Sequence, residues 1–269
     1  MTPERPLVSV LIGAYENEAT VARAIESILA QTERRLELIV LDDGSRDATG
    51  ARAAEAIAGD PRCELVRLGR NLGIPRSLNQ GLERARAPVV AIQDADDYSV
   101  PWRLERQLAA LAADPRAAVV GARMLEVDPA GRPLRPRTSV ATGDVGPVLM
   151  RFNPIPNGAA AFRRDVIRRL GGYDPRYPFA AEYDLWLRVA ERHRVIVLDE
   201  VLATRVMGTA NVAARAEPGQ TREAIAIRLR AVRRRRSLRG AAGIVRPLVS
   251  YATPIAVKRL LRAGRGQAP

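Results

Sequence analysis

Three carboxylates, Asp94, Asp96 and Asp97, fall within four positions where the apolar run VVAI ends in QDADD. Left alone they repel one another, and one of them is driven to hold a proton. A hard divalent cation, Mg²⁺ or Mn²⁺, resolves that conflict, because it takes oxygen ligands and bridges to substrate phosphates. A solvated acidic turn is the plain alternative. A lone D-x-D pattern does not choose between the two; the elements that carry it do.

Apolar runs of strand length occupy residues 8–12, 36–41, 63–68 and 89–93. Helical patterns lie between them. Residues 19–31 carry Val21, Ala24, Ile25, Ile28 and Leu29 at helical spacing. Residues 47–58 open with an acid suited to a helix N-terminus, and residues 75–85 open with a proline tolerated in a first turn. This alternation predicts βαβ units, hence an α/β fold with a mostly parallel sheet and helices on both faces. Ligands of such sheets bind beyond the carboxyl ends of the strands. Residues 13–18, 42–47 and 94–99 then share one rim, and each loop carries polar or acidic groups.

After Pro101 the pattern gives a helix over 102–113 and a strand over 117–127. A loop over 128–147, rich in Pro, Gly and Arg, reads as mobile. A short strand over 159–162 and a short helix over 164–170, ended by Gly171 and Gly172, follow. A helix over 181–192, a strand over 195–202, a polar link over 208–220 and a basic helix over 221–238 complete the reading.

With 269 residues, 47% hydrophobic and 27% charged, the chain reads as a globular protein with a real core. Its one cysteine, Cys63, excludes an internal disulfide and fits a reducing compartment. Set in CELVRL, it reads as a buried thiol rather than a nucleophile. Neither a secretory leader nor a run of about 18 apolar residues is visible, so the expected location is cytoplasmic. The net charge of +13 is segregated: residues 1–223 hold 31 basic and 30 acidic side chains, residues 224–269 hold 12 basic and none acidic.

The stretches VSVLIGAYENEATVARAIESILAQT, ELIVLDDGSRDAT and AIQDADDYSVPWRLERQ, in that order, resemble the inverting family-2 glycosyltransferases. The likeness covers residues 7–110 and continues more weakly to about 210. It implies a Rossmann-like GT-A domain over 1–215, with a donor half (1–115) and an acceptor half (116–215), followed by a basic helical tail (216–269). It also implies a nucleotide-diphosphate sugar donor. Gly13, Tyr15 and Glu16 then belong to the donor site, with Tyr15 stacking on the base; a core or interface tyrosine is its alternative. Asp43 matches the residue that accepts from a base N–H, and helix capping is its alternative. Asn71, Gly73 and Arg76 resemble a segment near the phosphates and base, where Arg76 either pairs with a phosphate or stays on a solvated helix face. Within QDADD, the resemblance assigns Asp94 to the ribose side, Asp96 to a Mg²⁺ or Mn²⁺ cofactor, and Asp97 to the metal as a further candidate.

An inverting transfer is one in-line displacement, in which the acceptor hydroxyl loses its proton to a base within about 2.6–3.2 Å. The family's base is the Asp of a Glu-Asp pair ahead of a Tyr-Asp-Leu-Trp run. Here the run reads Ala181-Glu182-Tyr183-Asp184-Leu185-Trp186, so the position falls on Glu182, one methylene longer. Asp184 is the reserve, or else a first-turn helix acid. Met207 stands where the family commonly has histidine, while Arg205 is kept. The only histidine, His193, reads as a helix-end residue. Asn157 and Gly158 fall in the acceptor region, and Trp186 reads as core.

The implied activity is metal-dependent transfer of a hexose to a glycan or lipid-linked acceptor in cell-surface polysaccharide or glycolipid synthesis. A catalytically impaired nucleotide-sugar-binding protein on the same scaffold is the rival. No Gly-rich phosphate loop follows the first strand, which argues against a sugar nucleotidyltransferase and a dinucleotide oxidoreductase. The basic tail is either solvated or holds the chain peripherally on an anionic membrane, where each basic residue contributes about 1 kcal/mol. Nucleic acid is not expected, since no aromatic residues interleave with the charge.

Overall fold

A computed structural model describes residues 5–134, 141–207 and 212–235, with the side chains of the last segment described over 219–234. The chain falls into two compact units, Met1–Ala210 and Asn211–Pro269. The first unit opens with β1 (Val8–Ala14), α1 (Val21–Leu29), β2 (Leu36–Asp42), α2 (Thr49–Ala56), β3 (Cys63–Arg67), α3 (Ile74–Arg84) and β4 (Val89–Asp94). It continues with β5 (Asp97–Ser99), α4 (Arg103–Ala113), β6 (Ala117–Val127), β7 (Gly143–Asp144), β8 (Ala161–Arg163), α5 (Arg164–Arg169), α6 (Ala181–Val189) and β9 (Arg194–Val206). A single helix, α7 (Val212–Arg235), is what is described of the second unit.

The strands form one mixed sheet in the order β3-β2-β1-β4-β8-β6-β9-β5, with β7 also on β9. The first four strands pair in parallel, as do β6 and β9; the short strands β5, β7 and β8 pair antiparallel. Every residue of β2 is buried, as befits an apolar run covered on both faces. On one face α1 packs Val21, Ala24, Ile25 and Ile28 against Val8, Val10 and Ile12. The alternate side chains Leu11 and Leu41 meet α3 at Gly81, where a Cβ would stand 2.8 Å from Leu41 and 3.0 Å from Leu11. Period-two alternation thus places a helix on each side of the sheet.

Four readings change. The rim segment 94–99 is not all loop: it contains β5, whose Asp97 pairs with Arg205 of β9. That pairing also carries β9 past residue 202 to Val206. The short strand begins at Ala161 because Asn157–Ala159 first makes a 3-10 turn. The link over 208–220 is helical from Val212. Loop 128–147 includes β7, while its residues 135–140 lie outside the described residues, as do 208–211 and the tail from 236 on.

Beneath the rim lies a polar network that the amphipathic pattern hides. Arg103, 0% exposed, donates to Gln93 Oε1 (3.0 Å), Ser99 Oγ (2.9 Å), Gln107 Oε1 (3.1 Å) and the carbonyl of Ile92 (2.6 Å). Burial lowers its pKa to about 10, against the pull of Asp94 and Asp97. One guanidinium therefore ties α4 to the end of β4 and to β5, the two strands that carry the carboxylates. At the opposite end of the sheet, buried Glu37 accepts from Ser9 Oγ (2.5 Å) and from Arg86 Nε and N (both 2.6 Å). Cys63 is half-buried, and burial pushes its thiol up to about 11, which keeps it protonated. No helix among the described residues is long and apolar enough to cross a membrane.

Candidate active site

The first two rim loops are laced together. Asn17 N donates to Thr49 Oγ1 (2.7 Å), Glu18 N to Asp47 Oδ2 (3.2 Å), Ala48 N to Glu18 Oε2 (2.9 Å) and Glu16 N to Ser45 Oγ (3.1 Å). Glu16 sits at φ 54, a left-handed conformation that costs a non-glycine residue energy and is held here by the Ser45 contact. The lacing presents Tyr15, 41% exposed, at a cavity of about 370 Å³. Asp42, Arg46, Arg67, Arg70 and Asn71 also line it.

The two aspartates of the pair differ in their partners. Asp43 is buried, and its two oxygens accept the amides of Leu72 (2.8 Å) and Gly73 (2.9 Å). Burial raises its pKa, against those two amides. Asp43 thus fastens the turn before α3, and it is not among the residues lining the cavity; Asp42 is. Gly44 makes the sharp exit from β2 at φ 77, and a Cβ there would meet the Arg70 backbone at 2.4 Å. Asn71 lines the cavity while its Oδ1 accepts from Gly73 N (2.9 Å). Gly13 lies deeper, in β1, in register with Asp94 of β4. Arg76 stands exposed in the first turn of α3, outside that lining.

The three carboxylates part ways. Asp94 turns toward the 3-10 turn, where the amide of Gly158 donates to it and a Cβ on Gly158 would lie 2.5 Å from its Oδ2. Asp96 is exposed. Asp97, 2% exposed, accepts from Val206 N at Oδ1 (3.3 Å), and Arg205 Nε stands 3.7 Å from its Oδ2. Among the described residues no three acidic, histidine or cysteine side chains converge to hold a metal by themselves. Asp94, Asp96 and Asp97 nonetheless stand close enough to act on one another, with Asp94 held by Gly158 and Asp97 beside Arg205. A divalent ion that takes one or two carboxylates and completes its shell with phosphates and water still fits. Asp97 Oδ2 is buried without a hydrogen-bond partner. Burial, with Asp94 and Asp96 close by, pushes the Asp97 carboxyl up to about 8, and burial with Asp96 raises Asp94. Such a group is one that a cation relieves.

Across the rim, half-buried Glu182 lies in the first turn of α6, where Asn153 Nδ2 donates to its Oε1 (3.4 Å). Buried Tyr173 links this side to the donor side. Its hydroxyl donates to Asn157 Oδ1 (3.2 Å), and its phenol is raised well above the ordinary value by burial and by the charges of both Glu182 and Asp94. Asp184 is different. It is fully buried and paired with Arg188 Nε at 2.6 Å, and Arg188 also holds the carbonyls of Leu170 and Gly172. That makes Asp184 a brace between α6 and the turn after α5, which removes it as a base. Trp186 is core, its ring tilted against Phe162. Gly158 lies against Asp94. Met207 donates its amide to Val127 O (2.8 Å).

Asp42, Arg67, Arg70, Asn153 and Tyr173 were not read from the sequence as site residues. Only Asp42 had a local signal: two adjacent aspartates at a strand end point opposite ways, so one of the two faces the rim.

The architecture is that of GT-A glycosyltransferases. The mannosyltransferase PcManGT of Pyrobaculum calidifontis, solved with GDP-Man and Mn²⁺, matches 97% of this chain and 80% of its own at TM-score 0.68 and 20% identity. TarS of S. aureus (residues 1–349), solved with UDP, matches 82% of this chain and 65% of its own at TM-score 0.64 and 19% identity. In sequence, the amylovoran biosynthesis glycosyltransferase AmsE of Erwinia amylovora is 31% identical over 199 residues, covering 73% of this chain and 74% of its own. The family model described as "Glycosyl transferase family 2" matches residues 9–171. The chain belongs to that glycosyltransferase family.

Proposed function

We propose that the chain transfers a hexose from a nucleotide-diphosphate donor to a hydroxyl of a glycan or lipid-linked acceptor, with inversion, in the assembly of a surface polysaccharide or glycolipid. The observation that carries this reading is the rim itself. A cavity at Tyr15 and Asp42 opens where β1 and β2 end, Asp94 ends the neighbouring strand β4, and buried Tyr173 feels the charges of both Asp94 and Glu182. Tyr15 offers a stacking face and Asp42 an acceptor for base N–H groups, while the arginines of the cavity counter donor charge. Asp94, which accepts from the Gly158 amide, would hold the ribose. Asp96 and Asp97 are the groups for a divalent cation, which when bound supplies positive charge to the departing diphosphate. Glu182 takes the acceptor proton, and Asn153 orients its carboxylate. The naming of UDP with TarS, of GDP-Man and Mn²⁺ with PcManGT, and of amylovoran biosynthesis for AmsE supports the substrate class.

The segregated cationic tail supports a place on the inner face of an anionic membrane, close to lipid-linked acceptors. Nucleic acid has no place in this reading.

Thermal shift with UDP and GDP, each with and without Mn²⁺, tests the donor half. One nucleotide with Mn²⁺ stabilises the wild-type chain, by about 2.7 kcal/mol at a hundredfold excess over its Kd. Asp97→Asn loses the part that depends on Mn²⁺. No stabilisation by either nucleotide contradicts the reading.

A further inference from the structure

An asparagine inside a helix costs stability relative to alanine unless its amide gains partners. Asn79 lies in the middle of α3 and is half-buried. Its side chain carries an acceptor and two donors, the same kinds of group as a peptide unit. Both ends are used on one residue of a distant segment. Tyr173 N donates to Asn79 Oδ1 (2.9 Å), and Asn79 Nδ2 donates to the carbonyl of Tyr173 (2.8 Å). Tyr173 is 1% exposed, so those backbone groups need a partner. Gly172 allows the approach: it turns at φ 69, and a Cβ there would collide with Asn79 Oδ1.

The same turn is gripped from its other side by α6. Arg188 donates to the carbonyls of Leu170 and Gly172 (both 2.7 Å) and to Asp184 Oδ2 (2.6 Å). Glu182 stands in the first turn of that helix. The Tyr173 hydroxyl donates to Asn157 Oδ1 (3.2 Å), next to Gly158, which lies against Asp94. At its other end α3 begins at the turn that Asp43 fastens, beside the cavity-lining Asn71.

We propose that Asn79 is a positioning residue for the transfer: by docking the backbone of Tyr173 on α3, it fixes where Glu182 stands relative to the donor. The proposal rests on the reading of Glu182 as the base. Asn79 touches neither reactant and acts through Gly172, Tyr173 and Arg188. A base displaced by about 1 Å costs about 10²-fold in rate, whereas the cavity that binds the nucleotide has its own fastening in Asp43.

Nucleotide release from UDP-GlcNAc and GDP-mannose with Mn²⁺ tests this on the full chain, for the wild type, Asn79→Ala, Glu182→Gln and the double variant. Alanine suits a helix interior, so Asn79→Ala folds. It lowers kcat by about tenfold to a hundredfold and leaves the affinity for UDP or GDP unchanged. In the Glu182→Gln background it lowers the remaining rate by less than about twofold, because a base that is absent cannot be misplaced. Hydrogen exchange read by mass spectrometry needs no turnover; in Asn79→Ala it quickens over residues 170–183 and stays the same in β1 and β2. The proposal is overturned if Asn79→Ala keeps the wild-type kcat, if nucleotide affinity falls along with kcat, or if the loss is equal in both backgrounds. Unchanged exchange over 170–183 overturns it as well. A wild-type chain without turnover, or Glu182→Gln at the wild-type rate, sinks the reading of Glu182 as the base instead, and the exchange result then decides the docking of the turn by itself.

Discussion

At the residue scale, two adjacent aspartates do different work. Asp43 holds two backbone amides and Asp42 faces the cavity. Asp42→Asn therefore weakens nucleotide binding by roughly 1–3 kcal/mol, the range for a lost charged hydrogen bond, with a smaller loss of Tm because the amide oxygen can still accept from Ser45 N (3.0 Å). Asp43→Asn does the reverse, lowering the urea midpoint while nucleotide affinity, corrected for folded fraction, changes less. Equal effects of the two substitutions on titration calorimetry and on the urea midpoint would contradict the division. Glu182 raises a different point. Its arm is one methylene longer than an aspartate, and at that length its carboxylate accepts from Asn153 Nδ2 at 3.4 Å. Glu182→Asp withdraws the oxygen by more than ~1 Å and lowers kcat by about 10²-fold, read as initial rate at saturating donor. The motif DDGS announced a carboxylate at this rim, and AAEYDLW announced an acid in α6. Neither could say which of two neighbours faced the ligand, because that depends on where the strand or helix begins. Asp184 left two readings open for the same reason, its partner Arg188 being one helical turn away and indistinguishable in sequence from a solvated arginine.

At the element scale, the rim is only as well ordered as the joints behind it. Arg103 opens α4 and reads in sequence as an exposed first-turn residue. Yet it is buried, because Gln93, Ser99 and Gln107 converge on it from two strands and its own helix. Long-range convergence of this kind has no local signature. Arg103→Met leaves buried acceptors unpaired and costs about 3–5 kcal/mol in urea unfolding. Gly158→Ala is the opposite kind of change. Its Cβ would lie 2.5 Å from Asp94 Oδ2, so it displaces that carboxylate and weakens donor binding more than it lowers stability. At the far end of the sheet, hydrogen bonds from Ser9 and Arg86, with the Arg86 charge, outweigh burial and hold Glu37 below its ordinary pKa. Its contribution to stability is present above the unfolded carboxyl value and is lost as pH falls through the depressed folded value. Glu37→Gln therefore lowers Tm at pH 7 and flattens the decline of Tm on acidification; an unchanged acid limb would contradict the linkage. The four parallel strands and their helices were legible because periods of 2 and 3.6 are local. β5, β7 and the full length of β9 were not, because they exist through pairing with each other rather than through their own pattern.

At the scale of the whole molecule, charge and chemistry are segregated. The body of 1–223 is nearly neutral, and 224–269 carries 12 basic side chains with no acid. Removal of residues 236–269 takes away seven of those 12 basic side chains and therefore weakens sedimentation with anionic vesicles at low salt, leaves neutral vesicles unaffected, and spares nucleotide release from a soluble donor. Binding that the deletion leaves unchanged, or that salt does not weaken, contradicts a membrane role for the tail. The order of motifs made the family legible across the first half of the chain, since three motifs at fixed separations must meet on one rim of a parallel sheet. The second half was less so, because acceptor recognition rests on a few side chains in irregular segments. The central claim is that Glu182 draws the proton from the acceptor while the opposite rim holds the donor. The most direct test is the steady-state rate of nucleotide release from UDP-GlcNAc and GDP-mannose with Mn²⁺, wild type against Glu182→Gln, with nucleotide affinity measured on both. The account predicts turnover of one donor by the wild-type chain and a loss of about 10²–10⁴-fold in the variant at unchanged nucleotide affinity; a variant that turns over at the wild-type rate would contradict it.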